Sequence, residues 1–258
     1  MTSFSLSLAA ADVLAQTLRV NIRQFPFDIP SVGTYQQDRI RIAKAVFLDL
    51  ADRGLVRGGT IDPDLVRAMR ALSGYVITVA AMGTVEGDRK IYARAASTGE
   101  TGVLAVREEQ GLRLELIRPT ALAVTMVGLL PQAEAGPGQS VTLTSPAPAQ
   151  RRADDSEEDL FSDVRPTNGS EHQLRIAASY LHRPRTGTGV FAVSGKDRGG
   201  RERQGGGLTW MDTDAGRYLT MSWPPGEDGQ VRSTFSPADS ARMSHALGEL
   251  IESVAPRR

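Results

Sequence analysis

Apolar residues recur along this chain at two spacings, first three to four positions apart and then every second position, and that order occurs twice. From Leu6 to Leu18 and from Tyr35 to Arg53 the spacing predicts amphipathic helices. The second carries Ile40, Phe47, Leu50 and Ala51 and stops at Gly54, a residue suited to a helix C-terminus. Pro26, Pro30 and Gly33 mark the loop between them. Asp62-Pro63-Asp64 opens another helix, with Asp62 as cap and Pro63 at the first helical position. The period then drops to two. Tyr75–Met82, Lys90–Ala95, Val103–Arg107 and Leu112–Ile117 predict strands, the last through Leu112, Leu114 and Leu116 alternating with Arg113 and Glu115. A helix from Pro119 to Leu130, apolar nearly all round, is expected to be buried between two halves.

The second half follows the same order. Connecting stretches rich in Pro, Ala and Gly at residues 131–138 and 145–150 bracket a short strand, Val141–Thr144. Residues 151–163 concentrate acidic side chains and read as a solvated helix or a tether. Glu171–Leu181 predicts a helix; Val190–Ser194, Leu208–Asp212, Arg217–Trp223 and Val231–Phe235 predict strands. Lys196 to Gly206 reads as a long hairpin loop, and the run Gly205-Gly206-Gly207 as a hairpin connection. A final helix is expected over Ser236–Val254, capped by Ser236 with Pro237 first and Asp239 third. Met243, Leu247, Leu250, Ile251 and Val254 fall on one of its faces.

The two closing units align without a gap. Gly111 to Pro119 and Gly229 to Pro237 make the same eight-residue step at an offset of 118, and Leu129 falls on Leu247. With the matching order of elements, this predicts an α+β fold with a quasi-two-fold repeat. Two α+β subdomains, residues 1–138 and 139–258, are expected to share a central antiparallel sheet flanked by helical bundles within one domain, 1–258.

Composition narrows the function. Apolar residues are 40% and charged residues 23% of 258, enough for an ordinary core. Thirty basic side chains balance thirty acidic ones, so no generic attraction to nucleic acid or anionic membrane is implied. The absence of cysteine excludes disulfides, zinc-thiolate sites and cysteine nucleophiles. The first eleven residues hold no basic residue and Asp12 follows at once, so they do not read as a signal peptide. The longest nearly uncharged run, Pro119 to Gln132, is too short to span a bilayer as a helix. A cytoplasmic location is expected.

Catalytic patterns are sparse. His172 and His182 lie ten residues apart around one helix, too far along its axis to chelate, and with His245 they are the only histidines. Gly189 to Lys196 departs from a phosphate loop: five residues separate its glycines, where four are needed, and Asp197 stands where Ser or Thr should hold magnesium. No Gly-x-Ser-x-Gly elbow occurs. Asp212, Asp214 and Arg217 remain. They could form the polar site of a small-molecule or nucleotide-binding enzyme. Asp212-Thr213-Asp214-Ala215-Gly216 fits better as a β-turn, with Asp212 accepting turn amides and Gly216 at positive φ.

The segment from Leu208 through Asp212-Thr213 to Gly216-Arg217-Tyr218-Leu219 resembles the EspG pattern, in which a strand ends in Asp-Thr and resumes as Gly-Arg-Tyr. Phe235-Ser236-Pro237-Ala238-Asp239 before an amphipathic helix is similar to that family's ending. Leu50-Ala51-Asp52-Arg53-Gly54-Leu55 followed by Asp62-Pro63-Asp64-Leu65 is similar to its "Arg-Gly-Leu, then Asp-Pro" passage. The resemblance spans nearly the whole chain. It implies a cytosolic actinobacterial chaperone of type VII (ESX) secretion, a binding protein and not an enzyme, with no cofactor or metal. Its partners would be PPE-type substrates, paired with PE-type proteins, held by their helical tip and kept soluble for export. The resemblance also implies the quasi-two-fold α+β fold. It carries over no contact residue in the Arg- and Gly-rich stretch 183–207.

A surface that shields an amphipathic helix should offer apolar groups rimmed by polar ones. Arg217, Leu219, Met221 and Trp223 share one strand face, with Tyr218, Thr220 and Ser222 on the other. Leu219, Met221 and Trp223 are either core beneath the helices or interface. Trp210, Asp212, Arg217, Tyr218 and Trp223 are the residue types enriched at interfaces and are the expected partner contacts.

Overall fold

The computed structural model describes residues 2–146 and 171–256, so the acidic run 151–163 lies outside the described residues. The chain opens with strand β1 (Ser3–Ser7), whose Phe4 and Leu6 alternate inward, and only then enters helix α1 (Leu8–Leu18). The helical spacing from Leu6 therefore begins two residues too early. Ser7 ends the strand and caps the helix, accepting from the Ala10 amide at 3.1 Å. Helix α2 (Gln36–Asp52), a short hairpin of β2 (Val56–Arg57) and β3 (Thr60–Ile61), and helix α3 (Pro63–Ser73) follow. Asp62 caps α3 as expected, accepting from Asp64 and Leu65.

Four strands then run consecutively: β4 (Ile77–Val85), β5 (Arg89–Ser97), β6 (Gly102–Glu108) and β7 (Gly111–Ile117). Pro119 starts a 3-10 turn, Pro119–Ala121, that becomes helix α4 (Leu122–Val127). The second half runs β8 (Val141–Pro146), α5 (Glu171–Leu181), then β9 (Arg185–Lys196), β10 (Glu202–Thr213), β11 (Gly216–Ser222) and β12 (Gln230–Pro237), and ends in α6 (Ser240–Val254). All the long strands form one ten-stranded antiparallel sheet in the order β1-β7-β6-β5-β4-β9-β10-β11-β12-β8. Outward from the central pair β4–β9, each half lays down four consecutive strands and closes on its own leading strand. Helices α4 and α6 begin at Leu122 and Ser240, again 118 residues apart.

Alternation sorts the core into layers. On one face Ala81, Ala93, Leu104, Phe191, Val193, Leu208, Trp210 and Leu219 pack beneath α4 and α6. On the other face α1, α2 and α3 enclose Leu6, Ala96, Val103, Ala105, Leu112 and Leu114. At the far end of that second face, Tyr180 from α5 packs on Val141, Leu143, Met211, Tyr218 and Phe235.

Two readings of the sequence change. Ser236 and Pro237 do not open a helix; they continue β12, with Tyr218 opposite Pro237 and Leu219 opposite Ser236. Asp239 is the cap instead, accepting from the Arg242 amide at 2.8 Å. The run Gly205-Gly206-Gly207 lies within β10, and the hairpin turn is the short stretch 197–201, closed by the Asp197 carboxylate accepting from Gly199 and Arg201. Gly205 is needed because α6 lies against it, and Gly206, at φ +98°, because a Cβ would stand 2.4 Å from the Ser222 carbonyl. A Cβ on Gly205 would stand 2.5 Å from Val254 Cγ1, and β10 bulges between Gln204 and Gly206.

Candidate functional site

The second face of the sheet is covered at both ends and open between them. Among the described residues, Tyr180 of α5 covers that face of β10 and β11 at Met211 and Tyr218, and no helix makes more than marginal contact with it on β4 or β9. The strand register draws a continuous row across this gap: Tyr92 on β5 opposite Met82 on β4, Met82 opposite Val190 on β9, Val190 opposite Thr209 on β10, and Thr209 opposite Thr220 on β11. All five are half-buried, and the apolar members belong to no core cluster. Ala192, also half-buried, adjoins the row, with Thr84 and Thr188 on its far side. The result is a shallow platform of methyl, thioether and ring surface edged by hydroxyls.

A polar corner borders it two residues along the strands. Arg94, opposite Ala80, lies 4.9 Å from the centre of the Tyr75 ring, and Lys196 Nζ lies 4.1 Å from it. The Tyr75 hydroxyl and Ser194 Oγ both donate to Glu202, at 3.2 and 2.7 Å. Arg94 Nη1 donates to the Phe25 carbonyl at 2.6 Å, while its buried Nε has no partner. Burial raises the Tyr75 phenol above its ordinary value against the pull of Arg94, and burial lowers Arg94 from the usual guanidinium value.

The residues expected to contact a partner sit on the same strands but mostly behind this surface. Trp210 is fully buried on the α6 side, stacked at a tilt on Phe191 with centroids 4.8 Å apart. It fills the space above Gly83 and Gly189, where an added Cβ would meet its ring at 2.7 and 2.1 Å. Arg217 is fully buried. Its Nε donates to Asp212 Oδ1 at 2.5 Å, and its Nη2 donates to Asp212 Oδ2 at 3.0 Å and to the Pro131 carbonyl at 2.9 Å. Tyr218, 2% exposed, stacks on Tyr180 at 4.5 Å and donates to the Pro137 carbonyl. Burial raises its phenol, against the opposing effect of Arg183. Leu219 is core, and Met221 and Trp223 pack partly against the same cluster. The expected exposure of Trp210, Arg217 and Tyr218 is thus corrected. Interface-type residues were placed correctly by strand face, but both faces are covered at this end of the sheet.

The turn is corrected in the same way. Asp212 serves Arg217 and not the turn amides; Thr213 closes the turn, donating to the Gly216 carbonyl at 2.7 Å and accepting from Ala215 at 3.2 Å. Gly216 has the expected positive φ, +120°. Asp214 is exposed and faces Arg183 at 3.7 Å. Asp212, Asp214 and Arg217 therefore do not converge on an open site, which removes the basis for an enzymatic reading of this turn.

The open row escaped the sequence because none of its members is distinctive. Met82, Val190 and Thr209 are ordinary strand residues, and only the register aligns them.

No curated protein matches the chain. Among solved structures it is similar to the Mycobacterium tuberculosis type VII secretion system chaperone EspG5, determined in complex with a PE25-PPE41 dimer. The TM-score is 0.70 at 12% sequence identity, over 99% of this chain and 97% of that one. The likeness establishes a common fold. The sequence profile of the EspG family matches residues 7–249, nearly the full length, and the chain belongs to the EspG family.

Proposed function

We propose that this protein is a cytoplasmic chaperone of type VII secretion that binds PE–PPE pairs, a binding protein and not an enzyme. The open row Tyr92–Met82–Val190–Thr209–Thr220 carries the reading. A sheet face left bare between two helical covers has the width for one more helix, since helices pack onto their neighbours at about 8–10 Å. An amphipathic PPE tip laid there would bury its apolar stripe on Met82, Val190 and Ala192, with the hydroxyl rim and the Arg94–Lys196 corner meeting its polar flank. The expected contacts Asp212 and Trp223 lie at the ends of the same strands; Trp210 and Arg217 support the platform from behind, and Tyr218 lies on its own face, covered by Tyr180 at the α5 end. No helix among the described residues is long and apolar enough to cross a membrane.

We also propose that residues 1–138 and 139–258 are quasi-two-fold repeats. The mirrored strand order and the 118-residue spacing of α4 and α6 support this.

Co-expression with PE–PPE pairs encoded beside the gene, followed by affinity purification, tests the function. One pair is expected to copurify in a defined ratio, and to be lost when Val190 is replaced by Arg in a folded protein. Recovery of no pair, or retention by the Val190→Arg protein, would falsify the reading.

A further inference from the structure

A cavity of about 540 Å³ opens on the N-terminal helices, between the end of α1 and the start of α2. Arg19, Arg23 and Arg39 line it, with Asp12 as the only carboxylate among the described residues and Ser31, Thr34 and Tyr35 at its wall. Three guanidinium groups against one carboxylate leave an excess of two positive charges.

Asp12 is spent on organising the site. It is 2% exposed and accepts from Arg23, from Arg39 and from the Val32 amide. Arg39 is committed further, to Gln16 Oε1 and to the Val32 carbonyl. Arg23 Nε donates to the Ile29 carbonyl at 3.0 Å, and its side chain is 45% exposed. Arg19 caps α1 with left-handed backbone, φ 54°, and among the described residues its guanidinium has no hydrogen-bond or ion-pair partner. Tyr35, the N-cap of α2, offers no side-chain acceptor, so the first amides of that helix add donors on the same wall. Gly33, at φ +81°, presses so close to the Arg39 backbone that a Cβ there would stand 2.9 Å from it, which fixes the loop holding Ser31 and Thr34.

We infer that this cavity binds the dianionic phosphate group of a small organic phosphate monoester. Two uncompensated charges match a phosphate dianion better than a single carboxylate. Guanidinium forks and hydroxyl donors suit its oxygens. The volume exceeds that of the phosphate alone, and Tyr35, 74% exposed at the rim, with Val20 and Ala15, offers apolar surface to the organic part. Crowding three guanidinium groups weakens the empty site, so occupancy should stabilise the fold.

The test is thermal unfolding of the full chain at constant ionic strength, with inorganic phosphate, phenyl phosphate, benzoate or chloride. The melting temperature is expected to rise saturably with phosphate, at lower concentration with phenyl phosphate, and not with chloride or benzoate. Arg19→Asn, whose side chain tolerates left-handed backbone, should raise the half-saturating concentration about tenfold or more. Arg23→Gln, followed by phosphorus NMR of phenyl phosphate, gives a second reading that does not depend on stability. No saturable effect, an equal response to benzoate, or unchanged binding in both variants would overturn the assignment.

Discussion

Arg217 and Asp212 face each other across the β10–β11 hairpin, guanidinium to carboxylate, with Nε 2.5 Å from Oδ1 and the arginine sealed from solvent. The pair also ties the sheet to the segment before β8. Arg217 Nη2 holds the Pro131 carbonyl, and its backbone exchanges hydrogen bonds with Glu134 and Gly136. One guanidinium nitrogen, Nη1, is buried without a partner, so the charge is compensated only through Asp212. Asp212→Ala should strand that charge and cost about 3–5 kcal/mol in urea unfolding. Replacing both, Asp212→Leu with Arg217→Met, should recover most of the loss. A double variant no more stable than Asp212→Ala would contradict this account.

Gly216 stands where the same hairpin meets the segment before β8. Its φ of +120° is one that other residues rarely adopt, and a Cβ would come within 2.7 Å of the Gly136 nitrogen and 2.9 Å of the Glu134 carbonyl. Both obstacles are backbone. Gly216→Val is expected to destabilise by about 2 kcal/mol or more. For a chain of this size that is a drop in melting temperature of roughly 4–8 °C. An unchanged melting curve would show that the segment yields.

The order of elements was legible because each is written locally. Asp62-Pro63 starts α3, and Leu112, Leu114 and Leu116 alternate along β7. What failed depended on partners distant in sequence. Gly205-Gly206-Gly207 resembles a loop until α6 is seen resting on it. Ser236-Pro237 carries a helix-start signature, but pairing with Tyr218 and Leu219 on β11 holds it in the sheet. The strands of the candidate site were found, yet the side of each strand that stays uncovered is decided by where α5 and α6 dock. No single-strand pattern records that.

Asp12 gives a pH dependence with a definite sign. Burial opposes its ionisation, but hydrogen bonds from Arg39, the Val32 amide and Arg23 outweigh it and hold the carboxyl below its usual value. Its folded-state pKa is below its unfolded one, so its contribution is complete above the ordinary Asp range, near pH 4, and is lost as the pH falls through the lower folded value. Asp12→Asn should remove about 2–3 kcal/mol at pH 7. The difference from the parent should shrink progressively below about pH 4. A difference that stays constant down to pH 2 would mean that the carboxylate charge is not what holds Arg23 and Arg39.

The platform and the covered end of the same sheet face under α5 should respond to mutation in opposite ways. Met82 and Val190 are half-buried on the open face, outside the core clusters, so Met82→Ala should leave the melting temperature nearly unchanged. If the helical tip of the partner lies there, that change should weaken binding of the cognate PE–PPE pair by about 1–2 kcal/mol, as truncation of an interface residue does. Val190→Arg would place a charge beneath an apolar stripe and should abolish binding. Tyr218 is 2% exposed, stacked on Tyr180 and bonded to the Pro137 carbonyl, so Tyr218→Ala should cost about 3 kcal/mol of stability. The fraction that remains folded should still bind. Calorimetric titration beside thermal melts separates the two effects for each variant. Full affinity in folded Met82→Ala and Val190→Arg proteins, with loss in a folded Tyr218→Ala protein, would move the site off the open sheet face and onto the α5 end.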